Sequence, residues 1–490
     1  MNMKHLLSAC LLSIVAFNAS ARMSAEQYEQ ARTHVIEALK GGDYAALDAE
    51  LNGLQLRLDQ SAADEQAVWD AFSPFEDLIP EPADAEALLR AWVERYPRSY
   101  AAHTALGMHY LHLARKARGT QYAQNTSVTR MDAMYGWMGP ARKELSLSLS
   151  LSQRPLLSYF TLMAAASYAG PRKEVEANFR AGIALAPGSP NLRSAYMDRL
   201  KPRWGGSYDL MQAFADDSAP FIENPSDVAA MRAQIPTDQG AVEAVAGHYE
   251  AAEALYTSAL DLSDQAQLHC QRAWVRMERQ DWAGTVEDLT RARAAEGSGY
   301  ECVTAVAKFA NRRTDYPDML DLLDAFIGFN PRAPELYGRR GWILHQNGRR
   351  LDALKDFLRA ADLGDTYGQT MAGKYLFLGD SDVPKDRDRG LALLRAAAEQ
   401  GDRNAQLSVV QALEMLGRKD EAEAAKTYYA AKESQRAEAQ AAQDAPLAAA
   451  VGGNYYVKLS AAGAALVTVL VGIAAARRRK PKPQGGNGES

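Results

Sequence analysis

Residues 334–362 read PELYGRRGWILHQNGRRLDALKDFLRAAD, and this stretch decides the fold. Gly341 is followed nine residues later by Arg350, and then by Phe357 and Ala360. The same offsets recur upstream at steps of 33 or 34 residues: Gly240, Tyr249, Tyr256 and Ala259; Ala273, Trp282, Leu289 and Ala292; Ala307, Tyr316, Leu323 and Phe326. A small residue on one helical segment and a bulky one at a fixed offset on the next allow the two helices to pack closely. Repetition at this period predicts helical hairpins stacked in an array, each burying the apolar face its neighbour presents. The third copy departs from the pattern, with Met319 and Phe326 where small residues are usual, and its hairpin is expected to splay.

The composition agrees with a folded helical body: 490 residues, 47% apolar and 24% charged, rich in alanine. A net charge of −6 is mild for this length and gives no broad basic surface for nucleic acid. Lys4 and His5 precede an apolar run from Leu6 to Phe17, then Ala19-Ser20-Ala21. This is the layout of a secretory signal peptide, 1–21, cleaved after Ala21; a lipoprotein box ending at Cys10 is the competing reading. Leu459 to Ala476 carries no charge, and at about 1.5 Å per residue it spans roughly 27 Å, enough to cross a bilayer core. Tyr455, Tyr456 and Lys458 flank one edge, and Arg477, Arg478, Arg479, Lys480 and Lys482 crowd the other. A single transmembrane helix, 459–476, with a basic cytoplasmic tail, 477–490, therefore leaves the body outside the cytoplasm. Small residues in that helix (Ala461, Gly463, Ala465, Gly472) give a weak signal for a homo-oligomer. In an oxidising compartment Cys270 and Cys302 can pair, cross-linking adjacent hairpins; two separately buried thiols are the alternative.

Two helices break at Gly41-Gly42-Asp43-Tyr44, and Asp84 is placed to cap a further helix ending at Tyr96-Pro97. Residues 115–140, with Gly119, Gly136, Gly139 and Pro140, read as a long excursion. A strong break at Arg199 to Ser207 precedes the helix carrying Met211 and Phe214, with which the first region, 22–215, ends. The regular array occupies 235–363 and resembles tetratricopeptide repeats. Residues 364–401 then resemble a Sel-1-like repeat, through Gly373, Tyr375, Leu376, Gly379, Val383, Lys385, Asp386, Leu391, Leu394, Ala397, Ala398 and Gly401. Capping helices complete 364–440, and 441–458 is a linker. Residues 40–215 resemble the bacterial domain of unknown function 4034 through Gly42-Asp43-Tyr44, Leu47, Gly107, Arg118-Gly119, and above all Pro202, Trp204-Gly205-Gly206-Ser207, Met211 and Phe214. These resemblances imply an all-α chain, a right-handed alpha-alpha superhelix, in a bacterial envelope setting. With the two ends, they place it in the inner membrane as a single-pass protein with a periplasmic body.

Candidate chemistry is sparse. His103, His109 and His112 lie close together but lack a metal-ligand pattern, and read as helix-surface histidines. No nucleophile motif, phosphate-binding glycine loop or dinucleotide fingerprint occurs, so no catalytic residue, metal or cofactor is expected. Trp204, Gly205, Gly206 and Ser207 form either a ligand loop or a structural turn. By the repeat resemblance the concave face carries Trp274, Met277, Glu278, Lys308, Asn311, Arg312, Trp342, His345 and Gln346. Exposed tryptophans beside a cation offer anchors to a peptide; the alternative is that both pack against neighbouring helices. The expected function is a non-enzymatic scaffold for a protein or peptide partner. Alternatives are an envelope enzyme using 115–140 and 202–207, or a self-associating spacer.

Overall fold

The computed structural model describes residues 25–61, 64–76, 82–119, 126–295, 299–379 and 382–444. The expected signal peptide, the linker beyond 444, the transmembrane helix and the basic tail lie outside the described residues. Among the described residues no helix is long and apolar enough to cross a membrane.

All regular structure among the described residues is helical. The first region contains α1 (Ala25–Gly41), α2 (Tyr44–Gln60), α3 (Glu65–Phe72), α4 (Pro82–Arg95), α5 (Tyr100–Arg118), α6 (Val128–Ser148), α7 (Leu156–Ala169), α8 (Arg172–Leu185), α9 (Pro190–Arg199) and α10 (Tyr208–Ser218). The four repeat copies follow as pairs: α11 (Pro225–Ala246) with α12 (Tyr249–Leu262), α13 (Ala266–Glu278) with α14 (Trp282–Ala294), α15 (Tyr300–Arg312) with α16 (Met319–Phe329), and α17 (Pro334–Gln346) with α18 (Arg350–Asp362). Two further pairs close the stack, α19 (Thr366–Leu378) with α20 (Arg387–Glu399) and α21 (Arg403–Met415) with α22 (Lys419–Asp444).

Most consecutive helices pack on one another, the arrangement of a helical solenoid; α3–α4 and α14–α15 do not, and α15 packs instead on α13. The repeat positions explain the close pairs. A Cβ added at Gly341 would lie 2.9 Å from the Phe357 ring, so the backbone of α17 rests directly on that side chain. Tyr256, Leu289, Leu323 and Phe357 are all buried, forming the bulky half of the pattern in every copy. The third copy does splay: α15 and α16 touch along much less of their length than the other pairs. The opened face of α16 meets α1, and Arg332 reaches within 4.0 Å of Glu29. In the Sel-1-like pair, buried Val383 and the backbone bond from Asp386 N to Leu376 O fold the long turn, and Asp386 caps α20.

Four expectations change. The described part of 115–140 is mostly helix and not an excursion: α5 runs to Arg118 and α6 starts at Val128, with Gly136, Gly139 and Pro140 inside it. Proline removes one helical N–H and crowds the carbonyl four residues back, and here that residue is Gly136, which has no side chain to resist the tilt. Asp84 lies within the first turn of α4, which starts at Pro82, so it does not cap. The array's first helix begins at Pro225, capped by Asn224, ten residues before the expected boundary at 235. His103 and His109 are buried rather than on the surface, because α5 is enclosed on nearly every side.

Candidate functional site

The expected groove residues come from α13, α15 and α17, the first helices of copies two to four. Trp274 is half-buried, edge-on to Tyr249 at 6.2 Å between ring centroids. The Lys308 ammonium stands 4.7 Å from the Trp274 ring centroid, a cation–π contact worth about 0.5–1 kcal/mol. Lys308 also approaches the Glu278 carboxylate at 3.7 Å. Arg312 donates to both oxygens of Glu278 at 3.0 Å and to the Met277 carbonyl at 3.1 Å. Arg339 donates to the Asn311 amide oxygen at 3.1 Å. Trp342 is half-buried beside His345, whose Nδ1 is hydrogen-bonded to the Tyr375 hydroxyl, and Gln346 is exposed.

The row thus brings Trp274, Glu278, Lys308, Asn311 and Arg312 into one bonded patch, with Trp342, His345 and Gln346 further along the array. Met277 does not belong to it. Its side chain is fully buried among Ala273, Leu289 and Phe309, so it serves the spine and presents nothing to a partner. Lys308 is engaged by Trp274 and Glu278. Arg339 and Tyr375 were missed; Arg339 lies three residues before Trp342 on α17, outside the positions assigned to the concave face. Three cations (Lys308, Arg312, Arg339) stand against one carboxylate in this set, so the patch favours an acidic contact.

Cys270 and Cys302 form a disulfide, joining α13 to α15 with Cα atoms 4.9 Å apart. Beneath the row lies a buried polar network that the sequence reading also missed. Asp288 is fully buried and accepts from Arg272, while His269 and Arg276 approach at 3.1 Å. Burial pushes the Asp288 carboxyl up, but hydrogen bonds from His269 and Arg272 and the charges of Arg272 and Arg276 outweigh it and hold it below the usual range. Arg340 and Asp356, 68 residues further on, repeat the pair at 2.6 Å. A period search restricted to charged residues would have found both.

The 202–207 segment is a tight turn. Pro202–Trp204 is one 3-10 turn, Gly205 takes φ +83°, and Ser207 caps α10. A Cβ on Gly206 would lie 1.8 Å from the Leu200 carbonyl oxygen, so only glycine fits. Trp204 lies under the Arg199 guanidinium at 5.7 Å, and Arg172 holds the Gly205 carbonyl at 2.6 Å. Nearby Asp198 is half-buried in a cationic cluster. Its burial cost is outweighed by Lys201, Arg199 and Arg203, which bring its carboxyl down to about 2. Among the described residues no three His, Cys, Asp or Glu side chains are placed to hold a metal ion.

Residues 31–171 match the model of DUF4034, a domain of unknown function. The matched span stops short of Pro202–Ser207, so that motif stands outside it. None of the curated proteins matches the chain. Among solved structures it is similar to a protective antigen of uropathogenic Escherichia coli strains displaying an SLR fold, at 13% identity over 74% of this chain and 82% of that one, TM-score 0.30. It is also similar to yeast Tom70, at 11% identity over 82% of this chain and 96% of that one, TM-score 0.35.

Proposed function

We propose that this chain is a non-enzymatic scaffold whose repeat array binds a protein or peptide partner. The observation that carries this reading is the patch on α13 and α15. Trp274 is only half-buried, its ring is backed by Lys308, and Glu278 and Arg312 are locked together beside it. Side chains held this way cost little additional ordering when a ligand arrives, and aromatic and arginine side chains dominate interface energetics. The surplus positive charge selects an acidic segment or a chain carboxylate.

The apolar stretches at 6–17 and 459–476, with the basic cluster at 477–482, support an exported body held by one membrane helix at the bacterial inner membrane. In this reading the array faces the periplasm. Small residues in the tail helix support self-association through the membrane.

The test is a photo-crosslinking side chain placed at Asn311 in the full chain in living cells. Discrete protein adducts are expected, and they should be lost when Trp274→Ala and Trp342→Ala are added. Recovery of the same adducts from both forms ends the groove assignment. A periplasm-active reporter fused after Ser490 should be silent; activity there reverses the orientation.

A further inference from the structure

The match to a domain of unknown function covers a second concavity, far in sequence from the array patch. It opens between α4, α5 and α6, with a volume of about 330 Å³, inside the range of small-ligand sites. Its floor is buried: Leu106, Tyr110 and Glu144. Arg90 and Lys143 stand at the rim, exposed, and Val93 and Pro140 complete the apolar wall.

The polar groups are spaced by fixed partners. Glu144 accepts from His103 Nδ1 at 2.6 Å, and His103 is anchored through its other ring nitrogen to the Pro97 carbonyl at 3.1 Å. That single bond leaves the other carboxylate lone pairs available, since an ionised carboxylate has about four acceptor sites. The hydrogen bond from His103 also keeps Glu144 ionised, below the usual carboxyl range. Arg90 gives donors to Glu86 at 2.8 Å and retains others, because a guanidinium has five N–H groups. The Lys143 ammonium is 3.8 Å from Glu144 Oε1, beyond hydrogen-bond distance. Tyr110 is held by stacking on Trp137 at 5.8 Å and by its hydroxyl bond to Glu86 at 3.2 Å.

Two cations (Arg90, Lys143) and two carboxylates (Glu94, Glu144) line one apolar cup. A free anion or a free cation would meet a like charge at once. A zwitterion meets both signs in complementary places. We propose that this cup binds a free α-amino acid with an apolar side chain. Its ammonium is received by Glu144 and its carboxylate by Arg90 and Lys143. Its side chain lies against Val93, Leu106 and Pro140.

Gly139 gives the decisive handle. It lines the cup, lies within α6, and a Cβ there would meet nothing within 4 Å. Gly139→Leu therefore adds bulk at the cup with no packed neighbour to displace; its one clash is with the ring of Pro140, which crowds a Cβ on the residue before it. The experiment titrates the purified full chain calorimetrically with leucine, methionine and phenylalanine, and then with leucinamide and N-acetylleucine. Saturable one-to-one binding of at least one free amino acid is expected. Each blocked derivative should bind at least about tenfold more weakly. Gly139→Leu should abolish binding with the helical circular dichroism preserved and the unfolding midpoint lowered by the strain before Pro140, and Arg90→Ala with Lys143→Ala should weaken it about tenfold with both left unchanged. The proposal is overturned if none of the three amino acids binds at about 10 mM, weaker than ordinary recognition. It is also overturned if a blocked derivative binds as well as the free form, or if binding survives Gly139→Leu.

Discussion

Hairpins α13–α14 and α15–α16 carry the same repeat one period apart, yet the first closes tightly and the second splays. In the closed pair Arg272 and Asp288 face each other across the two helices; in the splayed pair those positions are Val306 and Leu322, both buried. The closed pair turns through Arg279–Asp281, with Gln280 in the left-handed region, whereas the splayed pair needs residues 313–318. The closed pair has Thr285 and Ala292 on its second helix where the splayed pair has Met319 and Phe326, all of them buried. Bulk and turn length thus hold α15 and α16 apart, while the disulfide ties α15 to α13. Splaying also frees α16 to contact α1, so the irregular copy is where the start of the described chain meets the array.

The sharpest way to break this comparison is to disturb the charge pair. Asp288→Ala leaves Arg272 buried without its partner and should cost about 3–5 kcal/mol in urea unfolding of the full chain. Converting both positions to the splayed hairpin's residues, Arg272→Val with Asp288→Leu, should recover at least about half of that loss, because Arg272 is no longer stranded while Arg276 keeps Glu253 at 2.9 Å and His269 keeps Asp264 at 2.6 Å. If the double variant is as damaged as the single one, the charge pair is not what distinguishes the hairpins. The pH dependence follows with a definite sign. Asp288 has a depressed folded pKa, so its stabilisation is present above the unfolded value near 4 and is lost as pH falls through the folded one. Asp288→Ala should therefore flatten the acid limb of the stability profile.

The disulfide comes next. It closes a loop of 32 residues in sequence separation, for which chain entropy gives roughly 3–4 kcal/mol. Cys270→Ala with Cys302→Ala should lower stability by about that amount. Hydrogen exchange should quicken first in α15 and α16, which have fewer other contacts to hold them. Uniform quickening across α17 and α18 would show that the splayed copy is not the weak unit.

Most of the stack was legible because its signal is a period, and a period survives local irregularity. Gly341 against Phe357 and the splay at Met319 and Phe326 could be read from spacing alone. Other features depended on tertiary surroundings. Met277 has the spacing of a groove residue, but its long apolar side chain turns into the spine. Gly136, Gly139 and Pro140 carry loop chemistry, yet packing of α6 on α5 holds them in a helix. His103 and His109 fell on the wrong side of the surface because α5 is surrounded, a fact no single helix displays. The cup at Glu144 was invisible for the same reason, since its residues come from three helices.

Two smaller effects sharpen the contrast between closed and splayed copies. Gly341→Ala pushes a methyl to 2.9 Å from Phe357 and 3.2 Å from the Ala353 carbonyl, and should cost about 1–3 kcal/mol. The equivalent position in the splayed copy, Ala307, is half-buried, and Ala307→Val should cost under about 1 kcal/mol. Equal losses would mean that α15 and α16 approach as closely as α17 and α18 do. The smallest effect concerns the turn. The residue seven past the repeat's small position adopts positive φ in three copies: Gly247 at +82°, Gln280 at +61° and Gly348 at +74°. Glutamine is the one residue here with a Cβ crowding its own carbonyl. Gln280→Gly removes that strain but adds unfolded-state freedom, leaving a net gain of about 0.5–1 kcal/mol. The splayed copy has Thr314 at this position, outside the left-handed region, so Thr314→Gly has no strain to relieve and should lose a few tenths of a kcal/mol to about 1. Opposite signs at equivalent positions would show that the hairpin turn itself, and not only the side chains packed behind it, separates the two geometries.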